Sequence, residues 1–565
     1  MRLTHFILLV FILVSACAPV PNLFGPTPLP PTPRPPTRTP GPTPIPTSTI
    51  IPTDAPANAA QTSATSTTVT VASAPASLWI GPTVPDALAA QVRTAGVNIT
   101  QDAAASNAKL DVSDAGGAEW IYALVAPFPT TTDDVSSADL RASWKGDPAG
   151  PFAGLPLRMA ESTRAAFSAL WGEPAPGSVT TESADQLLDS AWNNRPAWAI
   201  IPFEEIQPKW KVLNVDGQSP LRKDFDASAY PLKVSFDFQP SSLPPSAFRL
   251  PPSNRDPSKL TTVIMTGVTA LVRLTAVTMN VKGVLYPGEN IRDVLRQADI
   301  THISNEIPFY GGCPDPDPNS QKLVFCSPPR YMSLLTDVGT DVVELTGNHF
   351  ADYGPGAMQQ TLALYQQNNI PYFGGGSDVY DARKPLLMEN NGNKFAFIGC
   401  NYPDRGKFPT ASETRPGAAP CDYNYETDQI RKLSADGYLV IATFQYTETD
   451  QQKPFPLQVN DFRMMADAGA VIVHGSQAHT PQTMEFYKNS FIHYGLGNLF
   501  FDQMGGNGVD SIKRREFVDR HVFYDGRYLG VELLTYILED YSRPVPMTAD
   551  ERTQLLTEYF HLSGW

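Results

Sequence analysis

Three places in the chain gather side chains that can exchange a proton or hold a cation. Glu306 follows an apolar run over Ile300 to Ser304, Asn348-His349 follows another over Val342 to Thr346, and His474 to His479 close a third that begins at Ala470. In α/β sheets, ligands sit in the crevice beyond the carboxyl ends of the strands, so these ionisable groups stand where a site belongs. Other chemistries have less support. No G-x-S-x-G elbow occurs, which removes serine hydrolysis by that route. Gly374-Gly375-Gly376 lacks the spacing of a phosphate loop and reads as a tight turn. A zinc site built from cysteines lacks any C-x₂₋₄-C pair.

The elements that must position these groups alternate. Strands are expected at Thr261 to Met265, Ile300 to Ser304, Val342 to Thr346, Phe395 to Gly399, Leu439 to Phe444 and Ala470 to His474. Helices are expected at Asn290 to Gln297, Gly356 to Asn368 and Pro456 to Ala468, with an amphipathic helix at Ala549 to His561. Upstream, Trp120 to Val125 and Ala197 to Phe203 read as buried strands, and Ser137 to Trp144 and Ser162 to Trp171 as helices. Alternating helix and apolar strand is the α/β pattern. The prolines between 240 and 258 separate a unit at 76–250 from one at 259–565.

Composition narrows the partners. The 565 residues carry 42 Lys+Arg against 57 Asp+Glu, a formal charge of −15. The densest basic run is Lys513-Arg514-Arg515, so a nucleic-acid partner, which needs clustered cations, is not expected. At the other end, Met1-Arg2 and an apolar run from Phe6 to Val14 lead to Val14-Ser15-Ala16-Cys17, which resembles a bacterial lipobox. The run is about half the length a spanning helix needs. The resemblance implies a signal peptide at 1–16, a lipidated Cys17 and attachment to the outer face of a bacterial membrane; an ordinary secretory signal is the other reading. Residues 17–75 are expected to form a Pro/Thr-rich disordered stalk, whose Pro19 to Pro56 stretch, extended as polyproline II at about 3.1 Å per residue, would span roughly 100 Å. Four further cysteines, Cys313, Cys326, Cys400 and Cys421, suit disulfides in an exported chain. They allow three connectivities, of which the local pairs 313–326 and 400–421 are expected.

Two resemblances add to this. Tyr122 to Phe128, Ser137 to Arg141 and Trp144-Lys145-Gly146 look like a lobe of the type 2 periplasmic solute-binding fold; an accessory domain that only packs on its neighbour is the alternative. The stronger resemblance is to the poly-γ-glutamate capsule-synthesis CapA family. It rests on Leu345-Thr346-Gly347-Asn348-His349-Phe350-Ala351-Asp352-Tyr353-Gly354, Gly374 to Ser377 with Ala382 to Pro385, Arg415 to Pro420, Ala468 to His479, and Tyr494 to Gln503. It implies a metallophosphatase-like layered β-sandwich flanked by helices. It also implies two-metal chemistry, in which divalent cations activate water at a phosphate. Glu306, Asn348, His349 and His479 match the metal-holding positions, with Asp352 orienting His349, and Mn, Zn or Fe suits such mixed nitrogen and oxygen donors.

The match is incomplete. Val268 stands where the family has an aspartate ligand, Ser304 where it has an asparagine, and Ser476 where it has an imidazole; Phe444 to Glu448 replace a further histidine-bearing strand end. An intact two-metal centre is therefore not expected, and three readings stay open. One divalent metal sits on Glu306, Asn348, His349 and His479; or no metal is held and the same groups bind a ligand; or the groups are only satisfied by hydrogen bonds. In the first, His349, His479 and Asp352 are catalytic. Ser476, Gln477, Tyr446 and Asn498 are the expected substrate contacts. His302, His493, His521 and His561 are expected to be structural. The implied function is synthesis, anchoring or trimming of a capsule-type envelope polymer, by a metal-dependent hydrolase or transferase; the alternative is a non-catalytic lipoprotein that binds a small solute or envelope polymer.

Overall fold

A computed structural model describes residues 77–239, 249–319, 322–402, 410–504 and 511–565. The signal peptide, Cys17 and the stalk lie outside these residues. From Ser77 to Gln239 most of the strands form one mixed sheet, and Asp134–Val135 pairs separately with Asn214–Val215. The order of the mixed sheet runs Asn98–Ile99, Ser77–Ile80, Ala108–Val112, Lys233–Gln239, Ala118–Pro127, Trp198–Pro202, Leu157–Met159 and Val179–Thr181. The central strand, Ala118–Pro127, is buried along nearly its whole length, as its unbroken apolar run requires. Helix Ser137–Trp144 starts where the Ser136 hydroxyl accepts from the backbone N–H of Asp139.

From Leu260 onward two sheets face each other. The first has the order Tyr372–Phe373, Val342–Glu344, Ile300–Asn305, Leu260–Met265, Arg515–Tyr524, Arg527–Glu539, Arg543–Pro546. The second has Leu386–Asn390, Asn393–Asn401, Leu439–Gln445, Ala470–Ser476, Ser490–His493, Met484–Tyr487. Val263, Met265, Ile300, Phe395, Phe397, Ile441, Ile472, Phe517 and Phe523 fill the space between them. The outer face of the first sheet is covered by helices that include Gly354–Gln367, and that of the second by Tyr423–Ala435 and Pro456–Ala468. The result is an α/β/β/α sandwich, the layered α/β architecture expected from the sequence.

The strands at Leu260–Met265, Ile300–Asn305 and Val342–Glu344 run parallel, as do Asn393–Asn401, Leu439–Gln445 and Ala470–Ser476. The long antiparallel hairpin Arg515–Tyr524 and Arg527–Glu539, not foreseen from sequence, completes the first sheet. Cys313 pairs with Cys326 and Cys400 with Cys421, at Cα separations of 5.8 and 4.9 Å, so the local connectivity is the one formed.

The two sheet systems pack into one compact unit. Phe128 meets Phe486, Phe491, Phe560 and Trp565 at ring separations of 5.0–5.9 Å. Beside it, Asp133 accepts from Arg552 Nε at 2.7 Å and pairs with Lys211, also at 2.7 Å. Partial burial works against the Asp133 charge, but these two cations hold its carboxyl down at about 2. Residues 240–248, which hold three of the boundary prolines, lie outside the described residues.

Candidate functional site

The carboxyl ends of the two parallel strand sets open on the same edge. Glu306 follows Ile300–Asn305, Asn348 and His349 follow Val342–Glu344, and Gln445 and Ser476 end strands of the second sheet. Gly347 makes the close approach between them: a Cβ there would fall 2.3 Å from the Glu306 carbonyl oxygen and 2.5 Å from its Cα, so no other residue fits. Gln477 turns the chain with φ 79°, in the left-handed region, and brings its amide to Gln445.

Gln445 organises the centre. Its Nε2 donates to Glu306 Oε1 at 3.1 Å, to Asn348 Oδ1 at 3.0 Å and to the side-chain Oε1 of Gln477, while its own Oε1 accepts from the Ser476 hydroxyl at 2.6 Å. Burial pushes the Glu306 carboxyl up to about 7, with the carboxylates of Glu448 and Asp352 adding to the rise and His349 and Gln445 opposing it.

The two motif histidines differ in state. His349 Nδ1 lies 2.7 Å from Asp352 Oδ2, which also accepts from the Phe325 backbone N–H at 2.7 Å. Burial disfavours the imidazolium, yet the Asp352 hydrogen bond and the charges of Glu306, Asp352 and Glu448 prevail and raise its pKa. His479 Nδ1 lies 2.8 Å from Asn498 Oδ1, and burial lowers its pKa to about 4 although that hydrogen bond resists the shift. The two imidazoles are thus pushed in opposite directions, His349 up and His479 down.

The remaining sequence candidates divide. Ser476 and Gln477 join the Gln445 network. Asn498 acts as a strut, its Nδ2 donating to the backbone oxygens of Gln503 and Lys513 while its Oδ1 holds His479. The Tyr446 hydroxyl is engaged elsewhere, donating to Asp461 at 2.8 Å. Arg273 lies at the mouth, paired with Asp502 at 2.6 Å and flanked by the rings of Phe325 and Phe501 at 5.2 and 4.9 Å. Beyond it a cleft of about 520 Å³ is lined by Arg273, Asp315, Asp317, Phe325 and Tyr353 and walled by the Cys313–Cys326 disulfide. Sequence reading had placed Gln445 only within a departure from the family pattern; nothing in its neighbours' spacing shows that four side chains converge on it.

The residues do not fit a pair of metal ions. Val268 is fully buried, paired with Ser304 on one side and Asn498 on the other, and packs with Ala270, Ile307, Phe325 and Phe501. It offers no ligand atom. Between Glu306, Asn348 and Gln477 stands the Gln445 amide NH₂, a donor that gathers the oxygens a cation would otherwise gather. Among the described residues, the His/Asp/Glu group whose ligand atoms all fall within 4.8 Å of one another is a different one, His474, Asp519 and His521.

Comparison with known proteins supports the reading of this half of the chain. The model of the family described as "Bacterial capsule synthesis protein PGA_cap" matches residues 262–503. The capsule biosynthesis protein CapA of Bacillus anthracis is 27% identical over 225 residues, 39% of this chain and 53% of that protein. The PGA biosynthesis protein CapA of Bacillus subtilis is 30% identical over 173 residues, 30% of this chain and 45% of that protein. The chain thus spans about half the length of the curated relatives it matches. A solved NAD nucleotidase from Haemophilus influenzae, at 10% identity, covers 53% of this chain and 55% of its own with a TM-score of 0.29, too low to bear on the fold. By the family match and the ordered motifs around Glu306, Asn348-His349 and His479, residues 262–503 are similar to the bacterial capsule-synthesis family PGA_cap.

Proposed function

We propose that this protein serves the making or anchoring of a capsule-type envelope polymer, of which poly-γ-glutamate is the family's example, as a polymer-binding component held at the cell surface. The observation that carries the reading is the Gln445 amide bound to Glu306, Asn348 and Gln477 in place of a cation. A site organised by an amide donor beside His349 binds; it has no two-metal means of activating water. Arg273 at the mouth and Lys322 in the cleft beyond it are the cationic side chains that an anionic γ-glutamyl segment entering the open cleft would meet. In this reading Cys17 carries the lipid anchor, 17–75 is the stalk, and 76–250 is an accessory domain packed on the binding domain.

The test is binding of poly-γ-glutamate to the full chain by calorimetry, alongside release of phosphate from phosphoesters with Mn²⁺ or Zn²⁺. Saturable binding weakened about tenfold by His349→Ala, with no metal-dependent turnover, is the expected result. Turnover that needs added metal and disappears in His349→Ala would replace this reading with the hydrolase.

A further inference from the structure

The middle layer of the sandwich holds a polar group that the candidate site does not use. Asp519 and His521 are alternate residues of the strand Arg515–Tyr524 and so share its inner face. Opposite them, His474 and His493 are register partners on neighbouring strands of the second sheet. All four are buried, with Asp519, His493 and His521 at 0% exposure. His474 Nε2 lies 3.2 Å from His521 Nε2 and 3.4 Å from Asp519 Oδ2, and the three ligand atoms fall within 4.8 Å of one another.

These separations are those of a coordination shell. Ligands held tetrahedrally at about 2.0–2.2 Å from zinc stand about 3.3–3.6 Å apart, so two of the three edges are already near that length. Outer contacts fix the donors: the Tyr528 hydroxyl lies 3.0 Å from His521 Nδ1, and His493 Nδ1 lies 2.7 Å from Asp519 Oδ2. Such partners orient ligands in metal centres. Burial and the neighbouring imidazoles push the pKa of His474 and of His521 down. Asp519 Oδ1, by contrast, accepts no hydrogen bond, and both ion-pair partners of this carboxylate are imidazoles. A buried carboxylate with an idle oxygen needs a counter-charge, and a divalent ion supplies it.

We propose that His474, His521 and Asp519 form a buried structural site for one divalent transition-metal ion of the zinc class, cross-linking the two sheets at their centre. Asp519 Oδ1 is the idle donor available on the same carboxylate. The two imidazoles and the carboxylate suit Zn²⁺ and disfavour Mg²⁺ or Ca²⁺, which prefer oxygen shells.

The test uses Zn²⁺ alone on the full chain, in three forms: wild type, the His349→Ala/His479→Ala double variant, and His521→Phe, which removes an imidazole without opening a cavity. After dialysis, the wild type and the double variant should retain about one equivalent of zinc, and His521→Phe should lose it. Zinc should raise Tm by at least about 5 °C in the first two and leave the third unmoved. No retained zinc in the double variant, or full retention in His521→Phe, overturns the proposal. Should His521→Phe fail to fold, X-ray absorption of the zinc-loaded double variant decides: a shell of two imidazole nitrogens with carboxylate oxygen supports the site, and any other shell overturns it.

Discussion

Glu306 shows how much a single side chain in this edge responds to its surroundings. Its folded pKa near 7 stands above the ordinary glutamate value of 4.5, so between those values the folded chain keeps a proton that the unfolded chain has lost. Stability therefore declines as pH rises from 4.5 to 7 and is flat beyond, a loss of roughly 3 kcal/mol for this group. Glu306→Gln removes the titration. Urea unfolding at pH 4.5 and 7.5 should show the balance between variant and wild type shifting toward the variant by roughly 2–3 kcal/mol across that interval; an unchanged balance would mean that Glu306 ionises normally. Glu306, Asn348, His349 and His479 were legible in the sequence because each follows an apolar run. His474 had been read with that strand-end edge, His521 and His493 only as structural, and Asp519 not at all. Their strands lie in different sheets, and a single run of residues carries no sign of which strand another will face.

Elements were legible where one pattern served one purpose. Helices Ser137–Trp144 and Pro456–Ala468 and the six strands behind the site appear where the periodicity put them, within a few residues. The hairpin over residues 515–539 escaped notice because its first strand is buried on both faces, which erases the alternation that marks a half-exposed strand. The amphipathic helix expected from Ala549 is present as Ala549–Leu562. It begins in a capping box: Thr548 accepts from the Glu551 backbone N–H, and the Glu551 carboxylate accepts from that of Thr548. Thr548→Ala should cost about 1 kcal/mol, read as a lower midpoint in denaturant with unchanged slope.

At the scale of the whole molecule, the joint between the two sheet systems is aromatic and tight. Phe128, 3% exposed, is contributed by the first and surrounded by Phe486, Phe491, Phe560 and Trp565 of the second. Phe128→Ala should cost about 3–5 kcal/mol in thermal or denaturant unfolding. A cost under about 1 kcal/mol would show that the two parts are stable without the joint. The ion pair beside it joins Asp133 to Arg552, 419 residues apart in sequence. A chain that emerges amino end first must therefore hold the surface around Phe128 and Asp133 uncovered while the next four hundred or so residues are made, and close it only when the helix Ala549–Leu562 arrives. Trimming that helix would leave the same surface open for good, turning a late step of maturation into a permanent site for self-association.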